Sequence, residues 1–149
     1  PYYRVPSLVL RLRAEMREGM GRVAPVEGMP GVIAALRGRG YMLGIVSSNC
    51  ERIVKDFLDR HRIQVFDFLA CNSNIFGKVR TLRWVLWRKQ LQPAETVYIG
   101  DELRDVEASR HIGIRFGAVS WGYNTLESLK RHSPDYVFET PGEILEAFP

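Results

Sequence analysis

The stretch "VYIGDELRDVEASRHIGIRFGAVS", residues 97–120, decides the fold class. It opens with a short β-branched and aromatic run, continues into a segment with a helical period, and closes with a second apolar run over residues 115–120. Gly113 follows the helical segment, where glycine commonly ends a helix. A strand, a helix and a strand joined so closely predict two parallel strands connected by a crossover helix.

The same alternation extends in both directions from this stretch. It predicts strands over residues 42–46, 66–71, 96–100, 115–120 and 135–138. It predicts helices over residues 7–20, 30–38, 50–61, 79–91, 104–113, 125–132 and 141–148. Strands and helices that alternate in this way indicate an α/β domain built on a mainly parallel sheet.

Composition limits the class of protein. The chain has 149 residues, 46% hydrophobic and 26% charged, which is typical of one globular domain with a real core. The net charge of +4 permits an acidic partner without requiring one. Two cysteines, Cys50 and Cys71, are too few for a disulfide framework. We see neither a signal peptide nor an apolar run of about 20 residues. We therefore expect a soluble cytoplasmic protein.

Polar side chains follow three of the predicted strands. Carboxyl ends of parallel strands meet at one edge of the sheet, which is where ligands bind in such folds. The candidate residues there are Ser47, Ser48, Asn49, Lys78, Asp101 and Asp105. Hydroxyls, an ammonium and carboxylates together suit a phosphoryl group held beside a divalent cation.

For the phosphate, Ser47 offers a hydroxyl, and Ser48 and Asn49 offer backbone N–H groups near a helix start. Lys78 offers a compact positive charge for the phosphate as it is transferred. Each feature also has a structural explanation. Ser-Ser-Asn before a helix is commonly only an N-cap, and a single lysine is commonly only solvated.

For the cation, Mg²⁺ needs only one or two carboxylates and keeps several waters. Asp101, at a strand end, is predicted to bind it directly. Asp105, one helical turn later, is predicted to hold a bound water or to orient neighbouring groups. We interpret Glu102 and Glu107 as surface residues; acids at a helix start are also favoured by the helix dipole alone.

An ordered series of motifs carries a family resemblance: "LGIVSSN" (43–49), Lys78, "VYIGDELRDVEASRHIGI" (97–114), "VSWGYN" (119–124) and "PDYVFETPGEIL" (134–145). Over residues 25–148 this series resembles the haloacid dehalogenase (HAD) superfamily, specifically its phosphoglycolate-phosphatase-like branch. The resemblance implies a Rossmann-like three-layer sandwich and a Mg²⁺-dependent phosphomonoester hydrolase of a small phosphorylated metabolite. It implies that Ser47 binds phosphate, that Lys78 stabilises charge, and that Asp101 and Asp105 serve the Mg²⁺ site.

One departure from the family pattern is serious. Members open with a strand that ends in Asp-x-Asp-x-Thr, which supplies the nucleophile and the general acid/base, and this chain contains no Asp-x-Asp. In the family that strand lies between the strands corresponding to residues 43–46 and 97–99. We therefore expect residues 1–24 to be the end of a helical cap domain and residues 25–149 to be a partial core domain. We expect this chain alone to be inactive.

Two other interpretations remain. A HAD-like protein without catalytic activity would bind a phosphorylated ligand or a protein partner. A nucleic-acid-binding surface is suggested by basic residues that interleave with Trp84 and Trp87 in "KVRTLRWVLWRK" (78–89). We interpret the two tryptophans as packing against the sheet or a neighbouring domain, and we predict no nucleic-acid and no membrane partner.

Overall fold

The computed structural model describes residues 23–71 and 77–149. The elements in chain order are α1 (Met29–Gly38), β1 (Gly44–Val46), α2 (Glu51–Arg60), β2 (Phe68–Ala70), α3 (Lys78–Lys89), a 3-10 turn (Pro93–Glu95), β3 (Val97–Gly100), α4 (Leu103–Ile112), β4 (Arg115–Val119), α5 (Leu126–Lys130), β5 (Tyr136–Phe138) and α6 (Pro141–Ala147). All five predicted strands and six of the seven predicted helices are confirmed. The predicted helix over residues 7–20 lies outside the described residues, and the assignment of residues 1–24 to a cap domain stays a prediction.

Local sequence signals account for where the helices begin and end. Gly113 ends α4 with a φ of 76°, a left-handed conformation that favours glycine. Pro141 starts α6, where the missing N–H of proline costs nothing. Glu143 reaches back to accept the Glu139 N–H at 2.8 Å and the Thr140 hydroxyl at 3.2 Å. The Thr140 side chain makes no bond to the helix backbone, so Glu143 rather than Thr140 satisfies the polar groups at the start of α6.

All strand pairs are parallel. β1 pairs with β2, with Ile45 opposite Leu69. β4 lies between β3 and β5, so that Gly117 faces both Ile99 and Tyr136. The mainly parallel α/β prediction is confirmed.

Helices cover both faces of these strands. On one face Val32 and Leu36 of α1 and Ile144 of α6 pack with Val119 and Phe138. On the other face the core residues come from α3, α4, α5 and β4; they are Leu82, Val106, Ala108, Phe116, Ala118 and Leu129. The result is the three-layer arrangement that the resemblance implies. None of the helices within the described ranges is long and apolar enough to cross a membrane.

A gap separates β1 from β3. Within residues 23–71 and 77–149, β1 pairs only with β2 and β3 only with β4, so the strands form two separate sheets. Residues 42–49 and 97–102 face each other across a cleft of about 500 Å³, which we call the central cleft. The gap lies where the family pattern places its first strand.

Candidate functional site

The central cleft collects the predicted site residues. Ser47, Ser48, Asn49, Lys78, Asp101 and Asp105 all line it. They come from the ends of β1 and β3 and from the first turns of α3 and α4. The parallel topology therefore brings residues that are far apart in sequence to one edge of the strands.

The Ser47 loop is an extension of β1 followed by a tight turn. The Ser47 N–H donates to the Ala70 carbonyl oxygen at 3.0 Å, which continues the β1–β2 ladder. The Asn49 N–H donates to Ser47 Oγ at 3.1 Å. Cys50, in an extended conformation, is the N-cap of α2. The explanation of Ser-Ser-Asn as a simple helix cap is therefore wrong.

Lys78 and Asp105 form an ion pair between the first turns of α3 and α4. Their side chains are only 14% and 4% exposed, so water screens the pair weakly. Lys78 Nζ also lies 5.7 Å from the centre of the Tyr98 ring. Gly100 leaves room for the carboxylate, because a Cβ there would lie 2.5 Å from Asp105 Oδ2.

Burial controls the titration of this group of side chains. Burial raises the pKa of Asp105, and the Lys78 ammonium opposes that rise. Burial, and after it the charge of Asp105, raises the pKa of Tyr98, so that its hydroxyl keeps its proton. The Tyr98 hydroxyl lies 3.5 Å from the Val46 carbonyl oxygen on the far side of the gap. Sequence reasoning missed Tyr98 because a tyrosine in an apolar strand looks like core.

Asp101 is fixed by the loop after β4. The Tyr123 N–H donates to Asp101 Oδ2 at 2.5 Å, and the Asn124 N–H donates to the Asp101 carbonyl oxygen at 3.1 Å. Asn124 Oδ1 accepts the Leu103 N–H at 3.1 Å, which satisfies one free donor at the start of α4. Gly122 is needed for this close approach, because any Cβ there would overlap Asp101. Asn124 was also missed as a site residue, because it lies five residues after the end of β4 and no local pattern predicts its contact with Asp101.

Glu102 and Glu107, the two glutamates within residues 97–120, differ in exposure. Glu107 is exposed, as predicted. Glu102 pairs with Arg104 and also lines the central cleft, so its surface assignment holds only in part. In the part of the chain that the structure describes, no three His, Cys, Asp or Glu side chains group closely enough to enclose a metal ion. The carboxylate residues that line the central cleft are Asp101, Glu102 and Asp105.

Comparison with known proteins agrees with this geometry. The family model described as haloacid dehalogenase-like hydrolase matches residues 4–119. The chain belongs to this family. The resemblance to the HAD superfamily and its phosphoglycolate-phosphatase-like branch is confirmed.

Curated HAD relatives carry phosphatase names. A phosphoglycolate phosphatase of Synechococcus elongatus is 36% identical over 141 residues, which are 94% of this chain and 66% of that protein. An N-acetylmuramic acid 6-phosphate phosphatase of Pseudomonas aeruginosa is 28% identical over 82% of this chain and 56% of its own length. The chain spans between half and two thirds of the length of the curated relatives it matches.

Solved HAD structures share the fold. A haloacid dehalogenase-like hydrolase from Streptococcus pneumoniae matches with a TM-score of 0.75 and 25% identity, over 83% of this chain and 60% of that one. A predicted phosphoglycolate phosphatase from Haemophilus somnus matches with a TM-score of 0.79 over 89% of this chain and 61% of that one. At 18% identity this second match supports the fold alone.

Proposed function

We propose that the protein containing this chain is a Mg²⁺-dependent phosphomonoester hydrolase that acts on a small phosphorylated metabolite. The observation that carries the proposal is the central cleft, where a hydroxyl, an ammonium and two carboxylates meet at the carboxyl ends of β1 and β3. The phosphatase names of the curated relatives agree with it.

The phosphate would bind at the end of β1. The Ser47 hydroxyl would donate to a phosphate oxygen while its own oxygen accepts the Asn49 N–H. Ser48 lines the same cleft. Short, directional donors of this kind suit the several oxygens of a phosphate.

Lys78 would stabilise the charge of the phosphoryl group as it transfers. Its ammonium is held by Asp105 in a weakly screened position, so little reorganisation is needed when charge develops. In this proposal Asp105 is a positioning residue for Lys78, and it serves the cation site only through that orientation.

Asp101 would be the direct protein ligand of Mg²⁺ from this chain. One of its oxygens accepts the Tyr123 N–H, which sets the direction of the carboxylate. A hard cation with oxygen ligands fits an aspartate at a strand end, and one or two carboxylates with water are sufficient. When bound, Mg²⁺ supplies positive charge that neutralises the phosphate oxygens.

The nucleophile would come from a segment outside this chain. A strand placed between β1 and β3 would complete one continuous sheet and would bring its carboxyl end to the same edge as Ser47 and Asp101. The nucleophile of the family is an Asp carboxylate in an Asp-x-Asp element, which this chain lacks, and Ser47 and Lys78 are assigned to phosphate binding and charge stabilisation. The chain alone is therefore expected to be inactive.

The test compares phosphate release by three proteins: the full-length protein, the 149-residue chain, and the full-length Asp101→Asn variant. A panel of small phosphomonoesters that includes phosphoglycolate is the substrate. We expect Mg²⁺-dependent release by the first protein only. Equal activity in the wild type and Asp101→Asn would rule out the proposed cation site. Binding of phosphate without hydrolysis by the full-length protein would support the non-catalytic interpretation instead.

A further inference from the structure

One face of α3 combines exposed tryptophans with arginines. Five residues of α3 are exposed, and every one is Arg or Trp: Arg80, Arg83, Trp84, Trp87 and Arg88. Trp87 is 74% exposed and Trp84 is 52% exposed. These tryptophans do not pack against the sheet, because Leu82 and Val85 occupy the buried side of the helix; the alternative of packing against a neighbouring domain stays a prediction.

The helical period explains why these residues form one surface. At about 100° per residue they fall within an arc of about 140°, on the side of α3 opposite Leu82 and Val85. We call this set the Trp–Arg face. Two large, solvent-exposed aromatic rings side by side are unusual on a soluble surface and mark an interaction site.

The charge of the Trp–Arg face is not compensated within the described residues. α3 carries five basic residues and no acidic one. Among the ion pairs of residues 23–71 and 77–149, none involves Arg80, Arg83 or Arg88. Pairing this face with the same face of a second copy would therefore bring like charges together, whereas an acidic partner would be complementary.

A groove beside the Trp–Arg face indicates which acidic partner fits. It lies between α3 and the end of α4, has a volume of about 520 Å³, and begins at Arg83 and Trp87. Leu86, Leu91 and Ile112 give it an aliphatic part, beside the polar side chains of Gln90, Gln92 and His111. Nucleic-acid bases stack on flat aromatic faces such as those of the tryptophans, whereas aliphatic side chains pack best with the apolar side chains of a protein. A protein segment that carries both apolar and acidic side chains therefore suits the groove and the arginines together.

We propose that the Trp–Arg face and its groove form a docking site for an acidic protein segment that inserts an apolar side chain beside Trp87. Trp and Arg are the residue types that contribute most binding energy at protein interfaces. The Arg side chains would pair with the acids, and the groove would take the apolar anchor. The site lies on the outer side of α3, so it does not depend on the proposed phosphatase activity.

The experiment measures binding of a short labelled peptide, in which Glu and Asp alternate with Leu and Phe, to the full-length protein. Its probes for comparison are the same peptide with Gln and Asn in place of the acids, polyglutamate, oligothymidylate and phosphatidylserine vesicles. We expect the acidic–apolar peptide to bind, and Trp87→Ala or the double change Arg80→Glu with Arg83→Glu to weaken it at least about tenfold. Arg131→Glu, an exposed arginine after α5, is the matched charge control and should change binding less than about twofold.

Several outcomes would overturn the proposal. They are failure of the acidic–apolar peptide to bind, equal binding of polyglutamate, and binding that Trp87→Ala leaves unchanged. Tighter binding of oligothymidylate, with the steep salt dependence of phosphate contacts, would assign the face to nucleic acid instead. Tighter binding of the vesicles would assign it to an anionic membrane surface.

Discussion

Lys78 and Asp105 form a nearly buried ion pair in the lining of the central cleft. Each belongs to the first turn of its helix, α3 or α4. The packing of these two helices therefore fixes the position of the positive charge that the proposed reaction needs. The pair is both a structural and a functional element, and its two roles can be measured separately.

Removing one partner should cost more stability than removing both. Asp105→Asn leaves the Lys78 ammonium poorly solvated, and we expect a loss of about 3 kcal/mol in the free energy of unfolding. The double variant with Lys78→Met should recover part of this loss, because no unpaired charge remains. Urea unfolding of the wild type, Asp105→Asn, Lys78→Met and the double variant gives the coupling free energy between the two side chains. Glu102→Gln, which breaks the more exposed pair with Arg104, is the control and should cost less than about 1 kcal/mol.

The approach of the Gly122 loop to Asp101 predicts a sharp intolerance to substitution. Gly122→Ala would place a methyl group on Asp101, so the loop must shift and the Tyr123 N–H must leave the carboxylate. We expect a loss of about 1–3 kcal/mol in the free energy of unfolding. In activity assays, half-maximal activity should need a higher Mg²⁺ concentration. Gly31→Ala, in α1 with nothing near its Cβ position, should instead be neutral or slightly stabilising. Equal effects of the two changes would refute this account of Gly122.

Low pH should weaken the contacts by which the Asp67 carboxylate links Arg37 of α1 to Leu43, the residue before β1. The Leu43 N–H and then Arg37 lower the pKa of Asp67, whose carboxylate accepts from both. A carboxyl with a lowered folded pKa stabilises the protein above its unfolded pKa of about 3.9, and that stability is lost as the pH falls through the folded value. Asp67→Asn should therefore destabilise the protein by about 1 kcal/mol at pH 7. The difference in the free energy of unfolding between this variant and the wild type should shrink at the acid end of a pH series. A difference that stays constant with pH would contradict the role given to the Asp67 carboxylate.

The unpaired edges at the gap should be visible by hydrogen exchange. β4 has a parallel partner on each side, whereas β1 and β3 have one partner each within the described residues. In the 149-residue chain, we expect amides of β4 to be the best protected and the gap-facing amides of β1 and β3 to exchange faster. In the full-length protein the gap-facing amides should become protected if a strand fills the gap. Unchanged exchange there would exclude such a strand.

The sequence predicted the parts of this fold that depend on short-range periodicity. Val97–Gly100 and Arg115–Val119 are strands because their apolar runs can be buried on both faces, and Gly113 ends the helix between them. The convergence of Ser47, Lys78 and Asp101 followed from the parallel topology alone. These predictions needed no knowledge of side-chain packing.

What the sequence did not predict depends on tertiary contacts. Asn124 contributes to the site because the loop after β4 folds back on Asp101, and no local pattern encodes that contact. Trp84 and Trp87 were predicted to pack against the sheet or a neighbouring domain, and the helix turns them away from the sheet. The pairing of Asp105 with Lys78 was also not predicted, and the predicted role of Asp105, to hold a bound water or to orient neighbouring groups, stays a prediction.

The most direct test of the central claim is the rate of phosphate release from phosphoglycolate and other small phosphomonoesters by the full-length protein, with Mg²⁺ and with a chelator. The account predicts turnover in Mg²⁺ that the chelator abolishes, and a loss of at least about 100-fold in kcat for Lys78→Met, because transition-state charge stabilisation is removed. Full activity of Lys78→Met, or no Mg²⁺-dependent turnover of any phosphomonoester by the folded full-length protein, would contradict it.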